Sequence, residues 1–169
     1  MDVETILRTY FSGEKSEAAV ILLAGTACLL AAVWLWFWVR QPFARGLALS
    51  LLLTAALGIA VGGSVYFRTD AQLRQLVELQ QRDPGGFATQ EGPRIHAVVK
   101  SFGFYRMGYA IAVLLALVCV FVMGRPGYHG LAVGLLLLAA LGFTIDYYAE
   151  ARAVSYMQSL EAAGALPKT

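Results

Sequence analysis

Ala18-Ala-Val-Ile-Leu-Leu-Ala-Gly-Thr-Ala-Cys-Leu-Leu-Ala-Ala-Val-Trp-Leu-Trp-Phe-Trp-Val39 runs for 22 residues without an acidic or basic side chain. At about 1.5 Å per helical residue, such a run crosses the roughly 30 Å hydrocarbon core of a bilayer. Three more windows, 46–67, 107–124 and 130–145, are equally free of charge. The last two are shorter and lengthen through interfacial aromatics: Phe102, Phe104 and Tyr105 before one, Tyr128, Tyr147 and Tyr148 around the other. Backbone N–H and C=O groups find no water in lipid, so each window must be helical. Overall 59% of the 169 residues are hydrophobic and 14% charged, against about 25% charged in a soluble domain. The expected fold is all-α, an integral-membrane four-helix bundle with spans at 18–39, 44–67, 107–124 and 128–148.

The first window lacks the small-residue exit of a cleavable signal, ending instead in Trp-Leu-Trp-Phe-Trp-Val-Arg. Before it, Val3, Ile6, Leu7, Tyr10 and Phe11 share one helical face, with Asp2 or Thr5 as N-cap. Residues 1–12 are therefore expected to lie in the interface plane, and Ser12-Gly13 to break that helix. The loops 40–45 and 125–129 are short, so spans one and two form a hairpin, as do three and four. Leu73, Leu76, Val77 and Gln80 continue helical spacing beyond span two, and Asp83-Pro-Gly-Gly stops it. Pro93 is placed as a first-turn residue of a new helix whose apolar stripe is Ile95, Val98, Val99 and Phe102. The connection 68–106 is thus two helical extensions joined by a flexible turn over 83–92, and 149–169 is a helical tail.

Gly46-Leu-Ala-Leu-Ser-Leu-Leu-Leu-Thr-Ala-Ala-Leu-Gly58 aligns without gaps on Gly130-Leu-Ala-Val-Gly-Leu-Leu-Leu-Leu-Ala-Ala-Leu-Gly142, with ten of 13 positions identical. A duplicated hairpin would relate the halves by an axis along the membrane normal. Gly58-x-x-x-Gly62 and Gly130-x-x-x-Gly134 have the spacing that lets backbones approach in lipid, read here as packing within one chain.

Ten of the 13 basic residues, Lys168 among them, fall on the side carrying the termini and the central connection; Arg40, Arg45 and Arg125 fall on the other. By the positive-inside count both termini face the cytoplasm, although all 11 acidic residues share the terminal side. Trp34, Trp36 and Trp38 mark one interface, and Tyr10, Tyr66, Tyr105, Tyr109, Tyr147 and Tyr148 the other.

The candidate site residues converge on the terminal side: Glu14, Glu17, Arg68, Arg106, Asp146, Glu150 and Arg152. Asp146 is the deepest charge, and Arg106 or Arg68 is its expected partner. The plain reading is a ring of ion pairs fixing helix rotation; the sharper one is a polar site for a head group, an ion or a partner segment. No catalytic residue is assigned, since no phosphate loop, nucleophile elbow or Cys-x-x-Cys occurs. No metal site or cofactor is expected either: His96 and His129 stand on opposite sides, and the Glu-x-x-His pairs of bundle metal sites are missing. Cys28 and Cys119 are read as small apolar groups within spans. The alternating signs of the central segment speak against nucleic acid.

Tyr10-Phe-Ser-Gly-Glu-Lys15 and Asp146-Tyr-Tyr-Ala-Glu-Ala-Arg152 resemble a group of small bacterial four-span membrane proteins of no settled activity. The resemblance implies a bacterial inner-membrane location. The function expected is non-enzymatic recognition, most concretely an immunity-type protein against a membrane-acting toxin, or an accessory subunit of a membrane complex. Its expected partners are lipids and another protein. A homo-oligomeric transporter and a lipid head-group enzyme are the alternatives.

Overall fold

The computed structural model describes residues 2–167. Met1, Lys168 and Thr169, which the sequence reading placed in the N-terminal element and the C-terminal tail, lie outside the described residues. The chain is four long helices: α1 Val3–Trp34, α2 Pro42–Arg82, α3 Pro84–Phe121 and α4 Pro126–Ala162. Each contains a stretch long and apolar enough to cross a membrane, so this is a multi-pass α-helical membrane bundle. The longest, α2, has 41 residues and extends roughly 60 Å, about twice the hydrocarbon thickness. Every helix therefore has a membrane half and a half that projects on the terminal side, where the four together build a head.

Buried positions along the helices recur every seven residues. They are Phe11, Ala18, Gly25 and Ala32 on α1, and Ala48, Ala55, Gly62, Thr69 and Leu76 on α2. On α4 they are Ala132, Ala139, Ala153 and Leu160, with Asp146 half-buried in the series; on α3, Ile95, Phe102 and Ala116, with Tyr109 half-buried. A seven-residue period keeps one seam facing its partner under a left-handed twist, the geometry of antiparallel coiled-coil hairpins. The register that places Gly46 on Gly130 carries each of these positions in one hairpin onto its counterpart in the other.

The contacts between hairpins follow the same register. Gly46 lies against the backbone of Gly127 and Leu131, and Gly130 against that of Phe43 and Leu47, which are the equivalent positions exchanged. Gly134 lies against Ser50, its own equivalent. Such reciprocity is what a two-fold axis produces, here between the parallel helices α2 and α4 and along the membrane normal. α2 and α4 form the inner pair; α1 and α3 flank them. Even the turns correspond: Arg40 and Gly124 occupy equivalent places and both are left-handed, at φ 55° and 57°. Arg40 follows a single wide helical turn over Leu35–Val39, and its Nε donates to the carbonyl of Phe37 at 2.6 Å, satisfying an orphaned helix-end acceptor.

Three sequence expectations about the head are corrected. Residues 3–12 are not a separate interfacial helix, because α1 runs unbroken through Ser12-Gly13. Ile6, Leu7, Tyr10 and Phe11 bury themselves in one core with residues of α2, α3 and α4, which outweighs the cost of about 1 kcal/mol for one helical glycine. A Cβ at Gly13 would stand 2.9 Å from Cδ of Arg152, so the glycine leaves room for that side chain. The flexible turn over 83–92 is absent: only Asp83 separates α2 from α3, its carboxylate accepting from the Gly86 N–H at 2.9 Å with Pro84 in the first turn. Pro93 consequently lies inside α3, on an exposed face, instead of starting a helix. Phe87, Glu91 and Ile95 fix this segment by burying one stripe. At the far end Gly164 (φ 72°) turns the chain, the Ala165 N–H bonds the Leu160 carbonyl at 2.9 Å, and Leu166 closes the head core.

Candidate functional site

The polar residues singled out from sequence meet at the level where the helices leave the bilayer. Arg152 of α4 reaches Glu17 of α1 at 2.5 Å, and Arg68 of α2 stands 3.9 Å from Glu14. Arg68 and Arg152 are equivalent under the two-fold relation, yet both turn to acids of α1. Arg106 of α3 grips Glu150 of α4 with two bonds, 2.9 and 3.2 Å. Lys15, outside the predicted set, pairs with Asp70 at 2.6 Å and lies over the Tyr66 ring.

Asp146 bonds neither Arg106 nor Arg68. Its carboxylate accepts from the Tyr109 hydroxyl at 2.6 Å. Antiparallel register decides this: one turn deeper along α3 from Arg106 is Tyr109, and one turn deeper along α4 from Glu150 is Asp146. In the first hairpin the equivalent positions are Gly25 and Gly62, which pack α1 onto α2 through their backbones. The second hairpin thus replaces a close glycine contact with a tyrosine–carboxylate bond. Beside it is a cavity of about 10 Å³ lined by Phe102, Arg106, Asp146 and Glu150, room for roughly one water.

Above this ring the head encloses a second polar group that the sequence reading did not single out. Glu91 is 0% exposed. Arg94 holds it bidentately at 2.5 and 2.6 Å, and the Tyr156 hydroxyl donates to it at 2.7 Å. Tyr10 stacks on Tyr156 with centroids 4.1 Å apart, and Arg94 lies over Phe11. Burial, then the Glu91 carboxylate, raise the Tyr156 hydroxyl, so it stays protonated and donates. Tyr10 is pushed up to about 12, chiefly by burial and next by Glu14. Glu14 itself is raised by burial, against the pull of Arg68, Arg94 and Arg152, and its Oε2 has no hydrogen-bond partner. The one signal in the sequence was Glu91-x-x-Arg94, an i,i+3 pair on the same stripe as Phe87 and Ile95.

The glycines close the bundle below. Gly58 and Gly62 rest on α1 near Gly25 and Leu22; Gly130 and Gly134 rest on α2 near Phe43 and Ser50. Ser50 is buried and donates to the Leu131 carbonyl at 2.8 Å, tying α2 to α4. Cys28 and Cys119 are free thiols. Among the described residues no three of His, Cys, Asp and Glu converge as a metal would require. Compared with known protein families, curated proteins and solved structures, the chain matches none.

Proposed function

We propose that this chain is a non-enzymatic recognition protein of a bacterial inner membrane, of the immunity type or as an accessory subunit, and that its water-facing head does the recognising. The observation that carries this reading is how the charges divide. At the membrane boundary, cations and acids are used up on one another, in pairs of 2.5 to 3.9 Å. On the outer face of the head, apart from Arg8 and Glu4 of α1 paired at 2.7 Å, they are not. Arg74, Glu78 and Arg82 form an exposed i, i+4, i+8 stripe on α2, and His96 and Lys100 a second on α3. Among the described residues, no ion pair engages Arg74, Glu78, Arg82 or Lys100. Exposed charges on a rigid support give specificity and fast encounter more than raw affinity, which suits a protein partner.

The alternatives ask for other features. A head-group enzyme built on Asp146, Glu150 and Arg106 would need space for a substrate beside the carboxylates, where the cavity is about 10 Å³. A transporter would use polar or broken helix near mid-membrane. There Ser50 and Thr54 spend their hydroxyls on backbone carbonyls at 2.8 and 3.0 Å.

The test is affinity purification from native membranes in mild detergent, comparing the wild type with an Arg74→Glu, Lys100→Glu double variant. A stoichiometric protein that co-elutes with the wild type and is lost from the variant supports recognition by the head. Equal recovery with both, or a lone homo-oligomer, would overturn it.

A further inference from the structure

At the membrane face opposite the head, the chain carries Arg40, Arg45 and Arg125 and no acid. Arg40 is engaged with the Phe37 carbonyl. Arg45 and Arg125 are exposed, and among the described residues neither guanidinium is in an ion pair. Both line an open cavity of about 560 Å³ between the first turns of α2 and α4, together with Trp36, Tyr128, Leu49 and Leu131. Gly46, also in the lining, lets the two helix starts meet backbone to backbone. α2 and α4 run parallel, so the positive ends of both helix dipoles point to this side as well.

Guanidinium groups bind phosphate bidentately and keep their charge at any working pH. Tryptophan and tyrosine sit at head-group depth, and the two leucines continue the wall toward the hydrocarbon. The two-fold relation supplies an internal comparison. On the other flank the equivalents of Arg45, Arg125 and Trp36 are His129, Gln41 and Val120. The cationic, aromatic lining therefore belongs to one flank and does not follow from the repeated fold.

We propose that this cavity binds an anionic phospholipid, with its phosphate between Arg45 and Arg125 and its acyl chains along Leu49 and Leu131. The proposal stands independently of what the head recognises. It also explains why the short-loop face is purely basic.

All three tryptophans lie at this end, so a Trp34→Phe, Trp38→Phe variant leaves Trp36 as the single reporter. It is reconstituted into phosphatidylcholine vesicles containing phosphatidylglycerol, with bromine on the acyl chains of one lipid or the other at equal mole fraction. Brominated phosphatidylglycerol should quench Trp36 with an apparent preference of about 30-fold, the scale set by two arginines at an anionic surface. Adding Arg45→Gln and Arg125→Gln should bring the two lipids to parity. Equal quenching by both lipids in the reporter variant would overturn the proposal without any arginine change. So would a preference that survives loss of both arginines.

Discussion

The head and the membrane half of this bundle are packed from opposite kinds of residue. In the head the fully buried side chains include Phe11, Phe87, Leu7, Ile95 and Leu160. In the membrane half the buried positions are mostly Ala, Gly and Ser, while Leu23, Phe67 and Phe121 are 70, 78 and 81% exposed. Water expels bulk, so the head folds by collecting large apolar groups. Lipid is as apolar as leucine and expels nothing of the kind. Helices there gain by close approach, and close approach requires small residues. The same seven-residue seam serves both halves and changes its filling where the solvent changes.

The largest expected break in this contrast is at Glu91. Glu91→Ala leaves Arg94 and Tyr156 facing a vacated buried site and should cost about 3–5 kcal/mol of head stability. Hydrogen exchange should then rise over 3–12 and 84–102 while the spans stay protected. Equal loss of protection in the spans would mean that the two halves fold as one unit.

The membrane half should break at Gly130. A Cβ there meets the carbonyl of Phe43 and the amide of Leu47, both backbone, so relief requires α2 and α4 to separate. Gly130→Ala should cost about 1–3 kcal/mol or more, read as a lower Tm in detergent. Gly108→Ala is the control: nothing lies within 4 Å of its Cβ, and the change should be neutral or stabilising by up to about 1 kcal/mol.

Between the halves, Glu14 sharpens the contrast through pH. Burial raises its folded pKa above the unfolded value, so its ionised form opposes folding at neutral pH and this opposition fades as pH falls. Glu14→Gln should have a higher Tm than wild type at pH 8, and the gap should close by about pH 4, near the unfolded carboxylate value. A gap that widens on acidification would show that Arg68 and Arg152 dominate Glu14 instead.

The smallest effect belongs to Lys15 and Asp70, whose side chains are 33 and 61% exposed. Lys15→Ala should leave the Tm almost unchanged, and added salt should remove whatever difference there is.

Hydropathy made the spans legible because lipid tolerates almost no exception: a charge-free run long enough to cross must be a helix. The Gly46 and Gly130 segments disclosed the internal repeat, since close packing on a two-fold axis tolerates little besides glycine and alanine. The helix breaks were misread. Ser12-Gly13 and Pro93 are poor helix formers in isolation, and both were overruled by burial on either side, Phe11 and Ala18 at one place, Glu91 and Ile95 at the other. Sequence also brought the charged residues to one level of the bundle without fixing their partners. Asp146 goes to Tyr109, and Glu150 takes Arg106, through a one-turn choice of register that no local pattern encodes.

The sequence by itself determined four membrane helices, their hairpin pairing and the level at which charge gathers. Each of these follows from the solvation of single residues. Only the tertiary structure decided that the helical extensions pack together as one head, that Glu91 is buried within it, and that Arg45 and Arg125 converge on one cavity. Those outcomes depend on which faces meet across long separations, and the energy of a contact is not a property of either residue alone.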